Sequence, residues 1–171
     1  MKICGTVVTV KARPGDNLII HKAIYVAMPG DILLIDTRGF LEGGIWGEIM
    51  GVAAQQRGLA GIVTDGSVRD TARLIEMGFP VFSQGVSMKG TTKTCLGTIN
   101  HALQFSGVAV EPGDLAIGDA DGVVVVHRKD VPDVLRMVDI REKKEAGIVK
   151  SLKEGKTTLE LYGFTELLDR E

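Results

Sequence analysis

The sequence predicts an α/β fold built on short strands, tight turns and a few helices, and three observations carry that prediction. Buried-looking aliphatic runs such as Thr6-Val7-Val8-Thr9-Val10 and Ile32-Leu33-Leu34-Ile35-Asp36 are set off by Pro-Gly-Asp tripeptides. Glycine supplies 22 of 171 residues, against 44% hydrophobic and only 5% aromatic residues, a balance that suits a compact, turn-rich chain. Two stretches, near Gly47-Glu48 and near Ser67-Val68-Arg69-Asp70, read as strands feeding helices.

A chain of 171 residues is about one domain, residues 1–171, and can bury a core without staples. Its formal net charge of −2, with Lys and Arg scattered among acids, leaves no electrostatic footprint for nucleic acid or an anionic membrane, while small anionic ligands remain open. No segment reaches the apolar length that crosses a bilayer, and the N-terminus lacks the apolar run of a signal peptide. Cys4 and Cys95 stand alone, without metal-ligand spacing. A cytoplasmic protein with two reduced, structural thiols is expected, a disulfide between them being the alternative.

Taken in order, Thr6 to Val10 reads as the opening strand, turned by Pro14-Gly15-Asp16 into Asn17 to Ala27. That second segment is ambiguous between strand and helix, and a short helix is favoured. Pro29-Gly30-Asp31 and Pro112-Gly113-Asp114 carry a type II turn signature, leading into the strands Ile32 to Asp36 and Leu115 to Gly118. Gly39 to Gly47 reads as a flexible loop ahead of a helix from Glu48 to Arg57, stopped by Gly58. Ile62 and Val63 form a short strand, Asp65-Gly66 a tight turn, and Val68, Leu74, Ile75 and Met77 the apolar stripe of a helix ending at Gly78. Val81 to Val86 and Val108 to Val110 are further strands, with Lys89 to Lys93 a polar loop. Asp119 and Asp121 flank a hairpin-like turn before Val123 to Val126, and Asp130 to Gly155 is a long helical region, apolar at Val134, Met137, Val138 and Ile148. His21, His101 and His127 show no ligand spacing and read as surface or packing residues.

Chemistry concentrates at the two strand-to-helix junctions. Ser67 followed by Asp70 has the spacing of a capping box. Arg69 beside them places a cation near the positive end of a helix dipole, which calls for a negative neighbour. Asp65 or Asp70 would serve, and so would a substrate carboxylate or enolate oxygen gripped by the guanidinium fork. At the other junction, N–H groups from Gly47 through Met50 would form an oxyanion cradle, with Glu48 beside them to manage a proton. The bland readings are a glycine hinge, a favourable first-turn acid and, for Trp46, a packing anchor. Together the two junctions suit a hard cation held by one or two carboxylates and water, polarising an oxo acid whose anionic end is bound by Arg and backbone N–H.

The segments Gly47-Glu48-Ile49-Met50, Asp65-Gly66-Ser67-Val68-Arg69-Asp70, Pro80-Val81-Phe82-Ser83-Gln84-Gly85 and Gly113 to Val126 resemble the 4-hydroxy-4-methyl-2-oxoglutarate aldolase family, which also contains the regulator of ribonuclease activity A. The resemblance runs from Gly5 to about Gly155. It implies a three-layer β/β/α swivelling-domain (RraA-like) fold, assembled as a homotrimer or hexamer with sites at subunit boundaries. It further implies a lyase that splits hydroxy-oxo acids to pyruvate, or decarboxylates oxaloacetate, through a metal-bound enolate. Carried over by position, Gly47, Glu48, Ile49 and Met50 would bind substrate through backbone N–H, Arg69 would bind its oxo and carboxylate oxygens, and Asp70 would hold Mg²⁺ or Mn²⁺. Glu48 would orient the proton-carrying water, and Glu145 is the best match for an acid that reaches a neighbouring subunit's site.

Two departures from the family pattern stand out. The N-terminal stretch of a few dozen residues that aldolase members carry is missing, and Thr157 to Glu171 matches weakly. The regulator branch lacks the aspartate that Asp70 represents, so the Arg69-Asp70 pair argues for chemistry. A non-catalytic regulator of ribonuclease activity, acting by protein-protein binding, is the alternative. No activated cysteine, Schiff-base lysine, Ser-His-Asp triad or nucleotide-binding βαβ unit is evident.

Overall fold

The computed structural model describes residues 1–168, so the end of the weakly matching stretch Thr157 to Glu171 lies outside the described residues. Two compact units are present, Met1–Arg128 and the residues from Lys129 on.

The first unit contains strands β1 (Ile3–Lys11), β2 (Ile32–Asp36), β3 (Gly44–Trp46), β4 (Gly61–Val68), β5 (Val81–Val86), β6 (Thr98–Ile99), β7 (Leu103–Phe105), β8 (Val108–Val110), β9 (Leu115–Gly118) and β10 (Val123–Val126), with helices α1 (Leu18–Val26), α2 (Glu48–Gln56) and α3 (Thr71–Glu76). Eight strands join in the order β10-β9-β1-β2-β4-β3, with β5 also on β4 and β6 also on β1. The strands from β1 to β5 pair in parallel, β6, β9 and β10 pair antiparallel, and β7 and β8 form a separate hairpin.

Alternation along the central strands explains the layering. Leu33, Ile35 and Ile62 turn to one face, where they pack with Ile20 and Ile24 of α1, Met50 and Ala54 of α2, and Leu74 of α3. Ile32, Leu34 and Val63 turn to the other face and pack with Leu103, Val110 and Ala116 of β7, β8 and β9. Successive side chains of a strand point oppositely, so a strand buried on both faces reads as an unbroken apolar run. The parallel sheet is thus a middle layer between helices and a second β layer, the three-layer β/β/α arrangement expected.

The recurring Pro-Gly-Asp tripeptides act as expected for turns. Gly30 and Gly113 have φ of 88° and 89°, the left-handed value that the second central position of a type II turn requires. Asp31 and Asp114 each accept from the backbone N–H three residues back, Met28 at 2.8 Å and Glu111 at 2.9 Å. Asp119 likewise accepts from Asp121 N–H at 2.9 Å, in the β9–β10 turn.

The stretch Asp65-Gly66 departs from expectation. These residues lie inside β4 rather than in a turn, at a register shift where the two of them oppose Gln84 of β5. This is a β-bulge. Ser67 and Val68 continue the strand and α3 begins only at Thr71, so the expected capping box is absent. Ser67 Oγ instead donates to Leu41 O at 2.9 Å. Ile75, assigned to the apolar stripe, is 71% exposed.

The second unit contains α4 (Val131–Lys153), α5 (Thr158–Tyr162) and α6 (Thr165–Leu168). No residue of α4 is buried; Val134 and Ile148 are half-buried, Met137 and Val138 exposed. α5 opens on a reciprocal capping box between Thr157 and Glu160. No described helix is long and apolar enough to cross a membrane.

Candidate active site at two strand-to-helix junctions

The expected residues Gly47, Glu48, Ile49, Met50, Arg69 and Asp70 are brought together, and the agent is a close backbone approach. Parallel pairing of β3 with β4 sets Trp46 beside Val68, and Arg69 N–H donates to Trp46 O at 2.8 Å. Gly47 then lies so near the next junction that a Cβ there would meet Asp70 Oδ2 at 2.4 Å, Arg69 Cγ at 2.9 Å and Arg69 Nε at 3.0 Å. Only a residue without a side chain allows that contact. Trp46 itself is fully buried and stacks on Phe79, with centroids 6.1 Å apart and an interplanar angle of 10°, so it is the packing anchor expected.

Asp70 is the N-cap of α3 but caps a different helix. Its Oδ2 accepts from Glu48 N–H, the first residue of α2, at 3.0 Å. Its backbone is left-handed, φ 56° and ψ 35°, a conformation that costs a non-glycine residue of order 1–3 kcal/mol and is tolerated best by Asn and Asp. Arg69 Nε lies 3.7 Å from the same oxygen, and the two side chains are 33% and 43% exposed. Asp65, the other partner considered for Arg69, is occupied elsewhere. It is buried, its Oδ1 accepting from Thr37 N–H and Oγ1 at 2.7 and 2.8 Å and its Oδ2 from Gly39 N–H at 2.8 Å. The Arg69 guanidinium therefore has no hydrogen-bond acceptor among the described residues.

The α2 N-terminus supplies the backbone donors. Its first-turn N–H groups have no intrahelical carbonyl to reach. Asp70 takes Glu48 N–H, whereas those of Ile49 and Met50 have no acceptor among the described residues. The Glu48 side chain is exposed at this rim.

Two further residues also lie here: Asn17, assigned no role from sequence, and His21, expected as a surface or packing residue. Asn17 is buried and donates through Nδ2 to Ile45 O at 3.1 Å, with Met50 Sδ at 3.5 Å, while its Oδ1 has no partner. His21 of α1 is pushed below its ordinary pKa, first by burial and then by the positive charges of Lys93 and Arg69. Both sit on α1 or at its start, far from the site in sequence, and the Asp16-Asn17 dipeptide after a turn is their only local signal. Lys93, Arg69 and the α2 N-terminus together make an electropositive rim, beside which His21 is held toward its neutral form.

The site also bears on the implied metal. No group of three or more His, Cys, Asp and Glu side chains that could hold an ion is present among the described residues, which excludes the closed ligand set of a structural zinc there. Asp70 does offer one carboxylate oxygen, Oδ1, with no hydrogen-bond partner among the described residues. A single carboxylate plus water is a donor set that Mg²⁺ accepts, so these residues fit the cation.

Glu145 lies in the second unit on α4, where its carboxylate accepts from Arg141 Nε at 2.7 Å beside a cleft lined by Met137, Ile140, Ile148 and Tyr162.

The model of the RraA-like family, described as Aldolase/RraA, matches residues 1–125. A protein of Halalkalibacterium halodurans named "Putative 4-hydroxy-4-methyl-2-oxoglutarate aldolase" is 33% identical over 161 residues, covering 94% of this chain and 77% of its own length. An uncharacterised protein from Pseudomonas syringae has a solved structure similar over 92% of this chain and 76% of its own, with a TM-score of 0.83 and 28% identity. A Streptomyces coelicolor structure, described as an unusual member of the RNase ES inhibitor RraA family, gives a TM-score of 0.79 at 25% identity, over 88% of this chain and 79% of its own. With a matched fold, a matched family model and relatives along nearly its whole length, this chain belongs to the RraA-like family.

Proposed function

We propose that the chain is a divalent-metal-dependent carbon–carbon lyase of the class II pyruvate aldolase type, acting on 4-hydroxy-4-methyl-2-oxoglutarate-like acids and on oxaloacetate. The observation that supports it is the convergence, around Gly47, of a guanidinium that pairs only with Asp70, at 3.7 Å, a carboxylate with one free oxygen and two backbone N–H groups without acceptors, all among the described residues. Such a set is complementary to an oxo acid that gains negative charge on its 2-oxygen as it reacts.

In this reading Arg69 grips the substrate carboxylate with its fork of donors, and the Ile49 and Met50 N–H groups receive the 2-oxygen. Asp70 holds Mg²⁺ or Mn²⁺, which supplies polarisation of the oxo group as a Lewis acid. Glu48, through a water, takes the proton from the 4-hydroxyl as the C3–C4 bond breaks, and the bonding pair enters the pyruvate enolate. Glu48 then returns a proton to C3, giving pyruvate and the second oxo acid. With oxaloacetate the same bond breaks with loss of carbon dioxide, and only the protonation of C3 is required. The electropositive rim of Lys93, Arg69 and the α2 N-terminus draws in the dianionic substrate. Glu145 completes the site from a neighbouring copy in a homotrimer or hexamer.

Pyruvate release from both acids, with Mg²⁺, with Mn²⁺ and with chelator, tests the proposal. Metal-dependent turnover lost in Arg69→Ala supports it. A folded protein without turnover under any metal points to the regulator reading.

A further inference from the structure

The carboxyl ends of β1 and β2 carry a second cluster of charge, on which the lyase chemistry makes no demand. Lys11 closes β1 and pairs in register with Asp36, which closes β2. Beyond them open two adjoining cavities. One, of about 440 Å³, is lined by Lys11, Arg13, Arg38 and Gly97 among others. The other, of about 480 Å³, is lined by Lys11, Asp36, Arg38, Gln84, Gln104 and Ser106 among others. Since Lys11 and Arg38 line both, these are two arms of one trench. It lies outside the carboxyl ends of parallel strands, where open α/β sheets place their ligands, and each arm is of small-molecule size.

The trench is built rather than incidental. Arg38 holds a left-handed backbone, φ 58°, that side-chain-bearing residues rarely adopt. Its N–H donates to Asp36 Oδ1 at 2.8 Å, and Asp65 fastens Thr37 and Gly39 on either side. Arg13 is steadied by donation from Nη1 to Cys95 Sγ at 2.9 Å. On the floor, Gly97 runs so close to β1 that a Cβ would meet Lys11 O at 2.0 Å. Lys11, Arg13 and Arg38 have no carboxylate within ion-pair distance among the described residues.

Charge divides the two arms. The Arg13 arm presents three cations and no acid. In the other arm Asp36 and Asp65 balance Lys11 and Arg38, leaving the amides of Gln84 and Gln104 and the Ser106 hydroxyl as the uncharged polar groups. Two arginine forks and a lysine suit the several oxygens and double charge of a phosphate better than a single carboxylate. We propose that this trench binds a small organic phosphate, its phosphate held by Lys11, Arg13 and Arg38 and its hydroxyl-bearing remainder by Gln84, Gln104 and Ser106.

The proposal is independent of the lyase reading, and calorimetric titration of the full chain with ribose 5-phosphate, ribose and inorganic phosphate tests it. Ribose 5-phosphate is expected to bind, inorganic phosphate more weakly, and ribose not at all. Arg13→Gln and Arg38→Gln should each weaken ribose 5-phosphate about tenfold or more, the loss of a charge-assisted contact, and Asp70→Asn should leave it unchanged. Lys11→Gln, on an exposed strand-end residue, serves in place of Arg38→Gln should that variant fail to fold by circular dichroism. Absence of binding at millimolar phosphate ligand, unchanged affinity in the trench variants, or loss of binding in Asp70→Asn would each overturn it.

Discussion

Gly47→Ala perturbs the candidate site without removing any of its functional groups. The new Cβ would stand 2.4 Å from Asp70 Oδ2 and 2.9 Å from Arg69 Cγ, both well inside contact distance. The Gly47 backbone, φ −158° and ψ −168°, is extended and open to any residue, so the effect comes from the collision alone. Asp70 cannot yield freely, because its Oδ2 is held by Glu48 N–H at 3.0 Å and its backbone is already left-handed. Overpacking of this kind costs about 1–3 kcal/mol, and each kcal/mol lowers Tm by about 2–4 °C in a chain of this size. Displacing Arg69 and Asp70 by about 1 Å is expected to cut turnover about a hundredfold. Gly90→Ala is the matched control, since nothing lies within 4 Å of a Cβ there. Thermal unfolding followed by circular dichroism, together with pyruvate release, reads both effects. Wild-type Tm and turnover in Gly47→Ala would refute the idea that this approach organises the site.

Asp70→Asn keeps a residue that tolerates the left-handed backbone and an oxygen for Glu48 N–H, so it should preserve Tm within about 2 °C while abolishing metal-stimulated turnover. Asp16 is buried and accepts from Leu18, Thr94 and Cys95 N–H and from the Thr92 and Thr94 hydroxyls. Burial pushes its carboxyl up, but these hydrogen bonds outweigh it and hold it well below the usual carboxylate range. A depressed folded pKa gives stability that is present above the unfolded value near pH 4 and lost as pH falls toward the folded one. Asp16→Asn should therefore flatten the acid limb of a Tm-against-pH profile; an unchanged acid limb would contradict this. Trp46, the single tryptophan, is fully buried, so Trp46→Ala should cost about 3–5 kcal/mol in urea unfolding. Its fluorescence in the wild type should report substrate binding at the adjacent Gly47, and an emission indifferent to saturating oxaloacetate would argue against that proximity.

Much of this architecture was legible because the decisive signals are local. The aliphatic run Ile32 to Ile35 had to be buried on both faces, and α2 begins at Glu48 as the glycine loop before it implied. Asp65-Gly66 misled because a bulge in a strand and a two-residue turn use the same dipeptide, and only pairing with Gln84 of β5 separates them. Ser67 and Asp70 misled similarly: their capping-box spacing is local, whereas the partners they find, Leu41 O and Glu48 N–H, are distant in sequence. Strands of two or three residues such as β3, β6 and β7 are too short for alternation to register. Asn17 and His21 reach the site only through the packing of α1 beside α2, which no spacing announces. The adjacency of Arg69 and Asp70 was readable in type and order, while the close approach of Gly47 that joins them to α2 emerged only in three dimensions.

Whether Arg69 and Asp70 serve one metal-assisted carbon–carbon cleavage is decided by the pyruvate formed from oxaloacetate by wild type, Arg69→Ala and Asp70→Asn across a Mg²⁺ and Mn²⁺ titration. Turnover above the metal-only background, saturable in metal, is expected in wild type, and none in either variant. Equal turnover in all three proteins, or turnover indifferent to chelator, would contradict that shared role.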